Sequence, residues 1–226
     1  MTDTLRIALA QLNPVMGDIA GNLAKARRAR RDAALGGADV VLFSELFIVG
    51  YPPEDLVLKP ALQQDAREAI ETFAGETKDG GPAVLIGTPW REDGLLYNAF
   101  VLLDGGKLAD RTFKRDLPNY GVFDEKRVFA PGPLPLPLPV RGVRIGVPVC
   151  EDIWTPGIVA HLAQHGAEVL LVPNGSPFEA GKEDVRRDLI AARVAEAKLP
   201  LVYLNQIGGQ DELVFDGASL VANADG

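Results

Sequence analysis

Gly-Val-Pro-Val-Cys-Glu-Asp-Ile-Trp, residues 146–154, ends an apolar run and opens a helical pattern. A strand that runs into a helix belongs to a layered α/β fold, and the turn between them is where such folds expose a nucleophile. Cys150 stands in that turn and is the only cysteine of the chain. One cysteine forms neither an intrachain disulfide nor a multi-cysteine metal site. Two readings stay open on these residues alone. Cys150 is a buried apolar filler, a common fate of free cysteine, or a nucleophile whose thiol is acidified by helix N–H groups and a nearby cation.

On both sides of this stretch, short apolar runs alternate with amphipathic ones. Strands are expected at 5–12, 40–43 and 83–89, with helices from Asp18 to about Gly36 and over 61–77. Residues 97–103 and 107–113 read as a hairpin across Asp104-Gly105-Gly106. The proline-rich run 131–139 is too stiff and too poor in N–H donors for a central strand. Beyond it come strand 143–149, helix 157–165, strand 168–173, helix 183–197 and strand 201–205, then a last hairpin around Asp216-Gly217. The alternation predicts one layered α/β domain.

The bulk numbers narrow the function. A chain of 226 residues can bury a sizeable core as one domain. A net charge of −8 argues against nucleic acid as the main partner. The basic run Lys-Ala-Arg-Arg-Ala-Arg-Arg (25–31) lies in a helical pattern with Ile19, Leu23 and Ala26 inward, so it reads as a solvated face. Nothing approaches the roughly 18 apolar residues of a membrane span. An unpaired thiol in an acidic chain points to the cytoplasm.

The two histidines, His161 and His165, are spaced i, i+4. They could seat a metal, but no third ligand stands in that stretch, and a solvated helix face is the better reading; no metal site is expected. Their helix should also carry them away from the strand end. If Cys150 is activated, a carboxylate or a lysine must do it. Glu45 sits inside the apolar run Val-Val-Leu-Phe-Ser-Glu-Leu-Phe-Ile-Val-Gly-Tyr-Pro (40–52), where a desolvated carboxylate is costly unless it meets a cation or proton donors. Lys114, at a strand end, and Glu125, in a turn, read singly as surface residues.

Glu, Lys and Cys in this order at strand ends resemble the nitrilase, or carbon–nitrogen hydrolase, superfamily. The likeness runs from Ile-Ala-Leu-Ala-Gln-Leu-Asn-Pro (7–14) to Asn-Gly-Ser-Pro-Phe (174–178). It implies a four-layer α-β-β-α sandwich with Glu45 as base, Lys114 as cationic stabiliser and Cys150 as nucleophile. Longer strings are more selective: 117–129, Val-Cys-Glu-Asp-Ile-Trp (149–154) and 205–217 are similar to the glutaminase domain of glutamine-dependent NAD+ synthetases. That resemblance implies L-glutamine as substrate and ammonia release through a Cys thioester. It implies Glu125 as a supporting acid and Tyr51, Tyr120, Glu151, Ser176 and Lys182 as substrate contacts. Lys182 would pair with the α-carboxylate and Glu151 with the α-ammonium, although Lys182 reads equally well as a helix-start lysine.

The same resemblance implies no cofactor for the glutaminase step, with ATP and Mg2+ belonging to a C-terminal synthetase domain that would be the natural partner. No Ser-Gly-Gly-x-Asp-Ser pyrophosphate motif occurs in the chain. Residues 1–226 are therefore expected to be a glutaminase domain truncated before its closing strands, assembling as a homo-oligomer. Three rivals remain: a stand-alone amidase on another small carboxamide, an inactive scaffold fragment, and a dinucleotide-binding module. The last lacks a Gly-x-Gly-x-x-Gly turn after any strand.

Overall fold

A computed structural model describes residues 4–226. The first half builds one five-stranded sheet: β1 (Ile7–Leu9), β2 (Val40–Leu42), β3 (Ala83–Glu92), β4 (Leu95–Asp104) and β5 (Lys107–Phe113), in that spatial order. The first three strands are parallel and the last two pairings antiparallel. Helices α1 (Ile19–Leu35) and α2 (Pro60–Glu76) connect the parallel strands. The Asp18 carboxylate caps α1 by accepting from Gly21 N–H at 2.9 Å.

The second half repeats the scheme. β6 (Leu138–Val140), β7 (Val143–Gly146), α3 (Ile158–Gln164), β8 (Val169–Asn174), α4 (Lys182–Ala197) and β9 (Leu201–Asn205) follow. The hairpin β10 (Ile207–Gln210) and β11 (Leu213–Asp216) precedes β12 (Leu220–Ala222). The second sheet has the order β12-β9-β8-β7-β6, and the hairpin stands apart as a two-stranded ribbon.

Alternation along the strands assigns the layers. Val40, Leu42, Ala83, Leu85, Phe100 and Leu102 from the first sheet meet Leu138, Val140, Ile145, Leu171, Val202 and Leu204 from the second. Their neighbours Val41, Val84, Ile86 and Val101 point the other way, into α1 and α2. In the second sheet Leu170, Val172, Leu201 and Tyr203 pack beneath α3 and α4. The result is an α-β-β-α sandwich, as expected. Each large apolar side chain sealed between the sheets contributes roughly 1.5–3 kcal/mol.

Several local expectations are corrected. No α-helix follows residues 146–149. Cys150–Ile153 form a single 3-10 turn, and α3 begins only at Ile158. The final hairpin turns at Asp211-Glu212, and Asp216-Gly217 is its exit. β3 runs on to Glu92 and turns through Asp93-Gly94, both with positive φ, a hairpin turn that the Asp-Gly pair itself encodes. The proline-rich run supplies β6, at the sheet edge where missing N–H donors are tolerated. The basic run of α1 is only partly solvated. Arg30 is buried and pairs with Asp79 at 2.6 Å, and Arg27 pairs with Glu76, so these arginines fasten α1 to the end of α2. No helix among the described residues is long and apolar enough to cross a membrane.

Candidate active site

Three strand exits converge at one end of the sandwich. β2 runs through Phe43 and Ser44 to Glu45, and Leu46 then turns with φ of 46°. β5 ends at Phe113, and Lys114 follows, its N–H bonded to Asn98 O of β4 at 2.8 Å. From the second sheet, β7 leads to Cys150, itself at φ of 46°. A left-handed conformation at non-glycine residues is strained, and such strain clusters at functional turns. Here it sits on the cysteine and beside the glutamate.

Glu45, Lys114, Glu125 and Cys150 are all buried. The Lys114 ammonium donates to Glu45 Oε1 at 2.7 Å and to Glu125 Oε1 at 2.8 Å. Glu45 is held from two further sides: Asn98 Nδ2 donates to Oε1 at 2.8 Å, and Gly175 N–H to Oε2 at 3.0 Å. Glu125 Oε1 also accepts from Tyr51 Oη at 2.9 Å, while Oε2 has no hydrogen-bond partner among the described residues. One cation therefore bridges two desolvated carboxylates, the condition under which such charges persist in an interior.

The electrostatics follow from that burial. Desolvation pulls Lys114 down, but Glu125 and Glu45 outweigh it and hold the ammonium well above the usual lysine range. Burial raises Glu125, with Lys114 opposing and Glu45 adding to the rise. Burial also pushes the Cys150 thiol up, Glu45 adds to that, and Lys114 only partly offsets it. One of the two readings left open by the sequence was a thiol acidified by helix N–H groups and a nearby cation. A single 3-10 turn supplies little helix dipole, and two carboxylates lie close by, so the resting thiol is protonated.

Cys150 lines a cavity of about 440 Å3, walled on one side by Tyr120, Val122 and Phe123 and on the other by Ser176, Glu179 and Lys182. Glu151 and Trp154 complete it near the cysteine. The Tyr120 hydroxyl donates to both Glu151 oxygens at 3.0 Å each. Lys182 pairs with Glu179 at 3.1 Å. Four of the five predicted contact residues (Tyr120, Glu151, Ser176 and Lys182) thus border one space. Tyr51 does not. It is buried, and its hydroxyl donates to Glu125.

Sequence reading missed several residues that hold these groups. Asn98 looked like an ordinary strand residue, and only its inward register against Glu45 reveals it. Arg186, buried on α4, donates to both Asp216 oxygens at 2.9 Å and to Ser176 O and Pro177 O at 3.0 Å, so it ties the cavity wall to the end of β11. Its signal was an arginine on the apolar face of a helical pattern. Asp152 was quoted with Cys150 but given no role. His161 and His165 stack with ring centroids 4.0 Å apart on α3 and do not line the cavity. No cluster of three or more His, Cys, Asp or Glu able to hold a metal occurs among the described residues.

Comparison with known proteins places this geometry. The family described as carbon–nitrogen hydrolase matches residues 6–226. The chain belongs to the carbon–nitrogen hydrolase family. Among curated relatives, the glutamine-dependent NAD+ synthetase of Rhodobacter capsulatus is 50% identical over 226 residues, covering 100% of this chain and 41% of that protein. That of Thermotoga maritima is 42% identical over 224 residues, covering 39% of its own length. The chain thus spans about two fifths of the curated relatives it matches. Among solved structures, the glutamine-dependent NAD+ synthetase of Acinetobacter baumannii superposes with a TM-score of 0.92 at 37% identity, over 98% of this chain and 42% of that one. An amidase from Nesterenkonia sp. AN1, solved with acrylamide added to its active-site cysteine, gives 0.87 at 30% identity and is covered to 86%. The carbon–nitrogen hydrolase fold accounts for the sandwich and for the strand ends at which Glu45, Lys114 and Cys150 stand.

Proposed function

We propose that residues 1–226 form the glutaminase domain of a glutamine-dependent NAD+ synthetase, releasing ammonia from L-glutamine. The observation that carries this reading is the pairing of a buried Glu45–Lys114–Glu125 cluster with Cys150 at the base of a cavity bordered by Glu151 and Lys182. Whole-chain identity of up to 50% with such synthetases supports it. Glutamine needs a site for its carboxamide and one counter-charge for each end of its amino-acid head. The cavity has both kinds.

In this reading Glu45 takes the Cys150 proton as the thiolate attacks the carboxamide carbon. The resting thiol is hard to ionise, so proton transfer and attack are coupled to substrate binding. Negative charge grows on the amide oxygen, where Lys114 and the Glu151 N–H are the donors; losing one such donor typically costs about 3 kcal/mol of transition-state stabilisation. The C–N bond breaks as Glu45 returns the proton to the departing ammonia, leaving a thioester on Cys150. Water, deprotonated by the same carboxylate, attacks the thioester, and glutamate leaves as the thiol is restored. Glu125 keeps Lys114 in place, and its free Oε2 is suited to accept from the carboxamide NH2. Glu151 faces the substrate ammonium and Lys182 its carboxylate, exchanging Glu179 for the ligand.

ATP and Mg2+ would serve a synthetase domain, the natural recipient of the ammonia, and no step above uses them. A cytoplasmic setting and a homo-oligomeric assembly fit the same reading. A second reading, an amidase on another small carboxamide, rests on the likeness to the Nesterenkonia enzyme, most of whose length this chain covers. The test is ammonia and glutamate release from L-glutamine by the chain and by Cys150→Ala, with acetamide and propionamide alongside. Cys150-dependent release from glutamine supports the proposal. Turnover of the simple amides without glutamine sinks it in favour of the second reading.

A further inference from the structure

Lys114 and Cys150 lie on different sheets, yet the reaction needs both at one carbonyl. What sets their spacing is visible just beyond each residue. Asp152 is fully buried, two residues after Cys150. Its Oδ1 accepts from the N–H groups of Arg115 and Asp116, at 3.0 and 2.7 Å, which directly follow Lys114. Its Oδ2 accepts from the N–H of Val149 at 2.9 Å, which directly precedes Cys150. No side-chain cation reaches this carboxylate; its listeners are three backbone N–H groups from two strand exits.

We propose that Asp152 is a positioning residue for the hydrolytic reaction, fixing the Lys114 and Cys150 strand exits to one another. The inference rests on the glutaminase reading for its substrate, but not for its geometry. A 3-10 turn of four residues has little rigidity of its own. Nor does the left-handed conformation at Cys150 persist unless its surroundings over-determine it. Asp152 supplies that constraint by closing the turn back onto Val149 while holding the opposite strand exit. Burial lifts its carboxyl to about 7 against the pull of the three N–H donors and of Lys114, so the group is kept at an electrostatic cost.

The substitution Asp152→Asn in the full chain keeps the side-chain shape but sets an NH2 against one of the three N–H groups. We expect kcat for glutamine to fall at least tenfold with KM within twofold. We also expect alkylation of Cys150 by iodoacetamide to slow at least fivefold. Loss of a nearby negative charge alone would leave alkylation unchanged or speed it, so slowing reports displacement. A kcat within twofold of wild type, a loss confined to KM, or unslowed alkylation overturns the proposal. Should wild type fail to turn over glutamine, the glutaminase reading fails and the alkylation comparison still decides this one. Should the variant not fold, hydrogen exchange in the wild type decides. Amides of Val149, Arg115 and Asp116 protected like the central strands uphold the clamp, and exchange at exposed-loop rates overturns it.

Discussion

A Cβ on Gly87 would stand 2.2 Å from the backbone nitrogen of Leu46. It would also lie 2.8 Å from Ser44 O and 2.9 Å from the carbonyl carbon of Glu45, so β3 approaches the Glu45 segment as closely as glycine alone permits. The obstacle is backbone and cannot swing aside. Gly87→Ala should therefore push Glu45 away from Lys114. We expect turnover to fall more than tenfold and Tm to fall by about 3–10 °C, from an overpacking cost of about 1–3 kcal/mol. Gly75→Ala on α2, where nothing lies within 4 Å, is the control and should be neutral or stabilising. Calorimetry with an ammonia assay checks both.

Lys114 pairs with two carboxylates at once, and its side chain has no exposure. Lys114→Met should abolish turnover and destabilise the fold by about 3–5 kcal/mol at pH 8. The loss should shrink at pH 6, as the orphaned Glu125 carboxyl, already raised by burial, takes up a proton. Because the folded ammonium titrates above the usual lysine range, its stabilisation is complete below the unfolded value of about 10.4 and is lost as pH rises through the higher folded value. Wild type should thus show an alkaline fall in unfolding free energy, beginning near that value, to which Lys114→Met lacks this contribution. Urea titrations from pH 6 to 11.5 measure it.

Glu45 raises the Cys150 thiol and, in the proposed mechanism, receives its proton, so its removal should separate two readouts. Burial is the larger cause of the raised thiol and Glu45 the next, with Lys114 opposing. In Glu45→Gln, turnover should fall by about 10²–10⁴-fold, the usual weight of general acid–base catalysis. The apparent pKa for iodoacetamide alkylation should nonetheless move down from its wild-type position. An upward move would show that Glu45 acts mainly by holding Lys114 against the thiol.

The Tyr120 hydroxyl touches only Glu151 among the charged groups of the cavity. Burial raises the Glu151 carboxyl and this hydroxyl counters the rise. Tyr120→Phe should weaken the grip on the substrate ammonium by roughly 0.5–1.5 kcal/mol, read as a KM for glutamine higher by about two- to tenfold, with kcat within twofold. Glu151→Gln should raise KM further. Steady-state kinetics suffice.

Arg186 holds the Ser176–Pro177 backbone against Asp216 from a fully buried position. Arg186→Met removes the donor of Pro177 O and leaves Ser176 O and Asp216 with only Asn205 Nδ2, at 2.9 and 3.4 Å; because Asp216 is partly exposed, the cost should be about 1–3 kcal/mol. Urea unfolding should register most of that. The wall carrying Ser176 and Lys182 should loosen, raising KM more than it lowers kcat.

The layers were legible because 83–89, 97–103 and 201–205 are short, nearly continuous apolar runs set between helical patterns, and the Asp104-Gly105-Gly106 turn carries its own chemistry. Glu45 and Cys150 stood out as a charge and a thiol in apolar runs. Lys114 and Glu125 gave no signal singly, since their burial is created by a partner 69 residues and 11 residues away respectively. The turn after Cys150 differs from a helix although Cys-Glu-Asp-Ile-Trp has helical composition, because two of the three N–H groups that hold Asp152, those of Arg115 and Asp116, come from a distant part of the chain. Tyr51 is a related case, lining the smaller pocket beside Glu125 rather than the main cavity. A tyrosine near a site is visible in sequence, but which side of Glu125 it occupies is decided by packing.

Glu45 and Lys114 leave one sheet and Cys150 the other, so how closely they meet beyond the strand ends depends on how far the apolar filling holds the two sheets apart. Phe100, Leu102, Leu171 and Val202, which touch no substrate, are the spacers of that gauge. Repacking them by a methyl group or two offers a way to tune the rate from the middle of the molecule, leaving every residue of the cavity as it is.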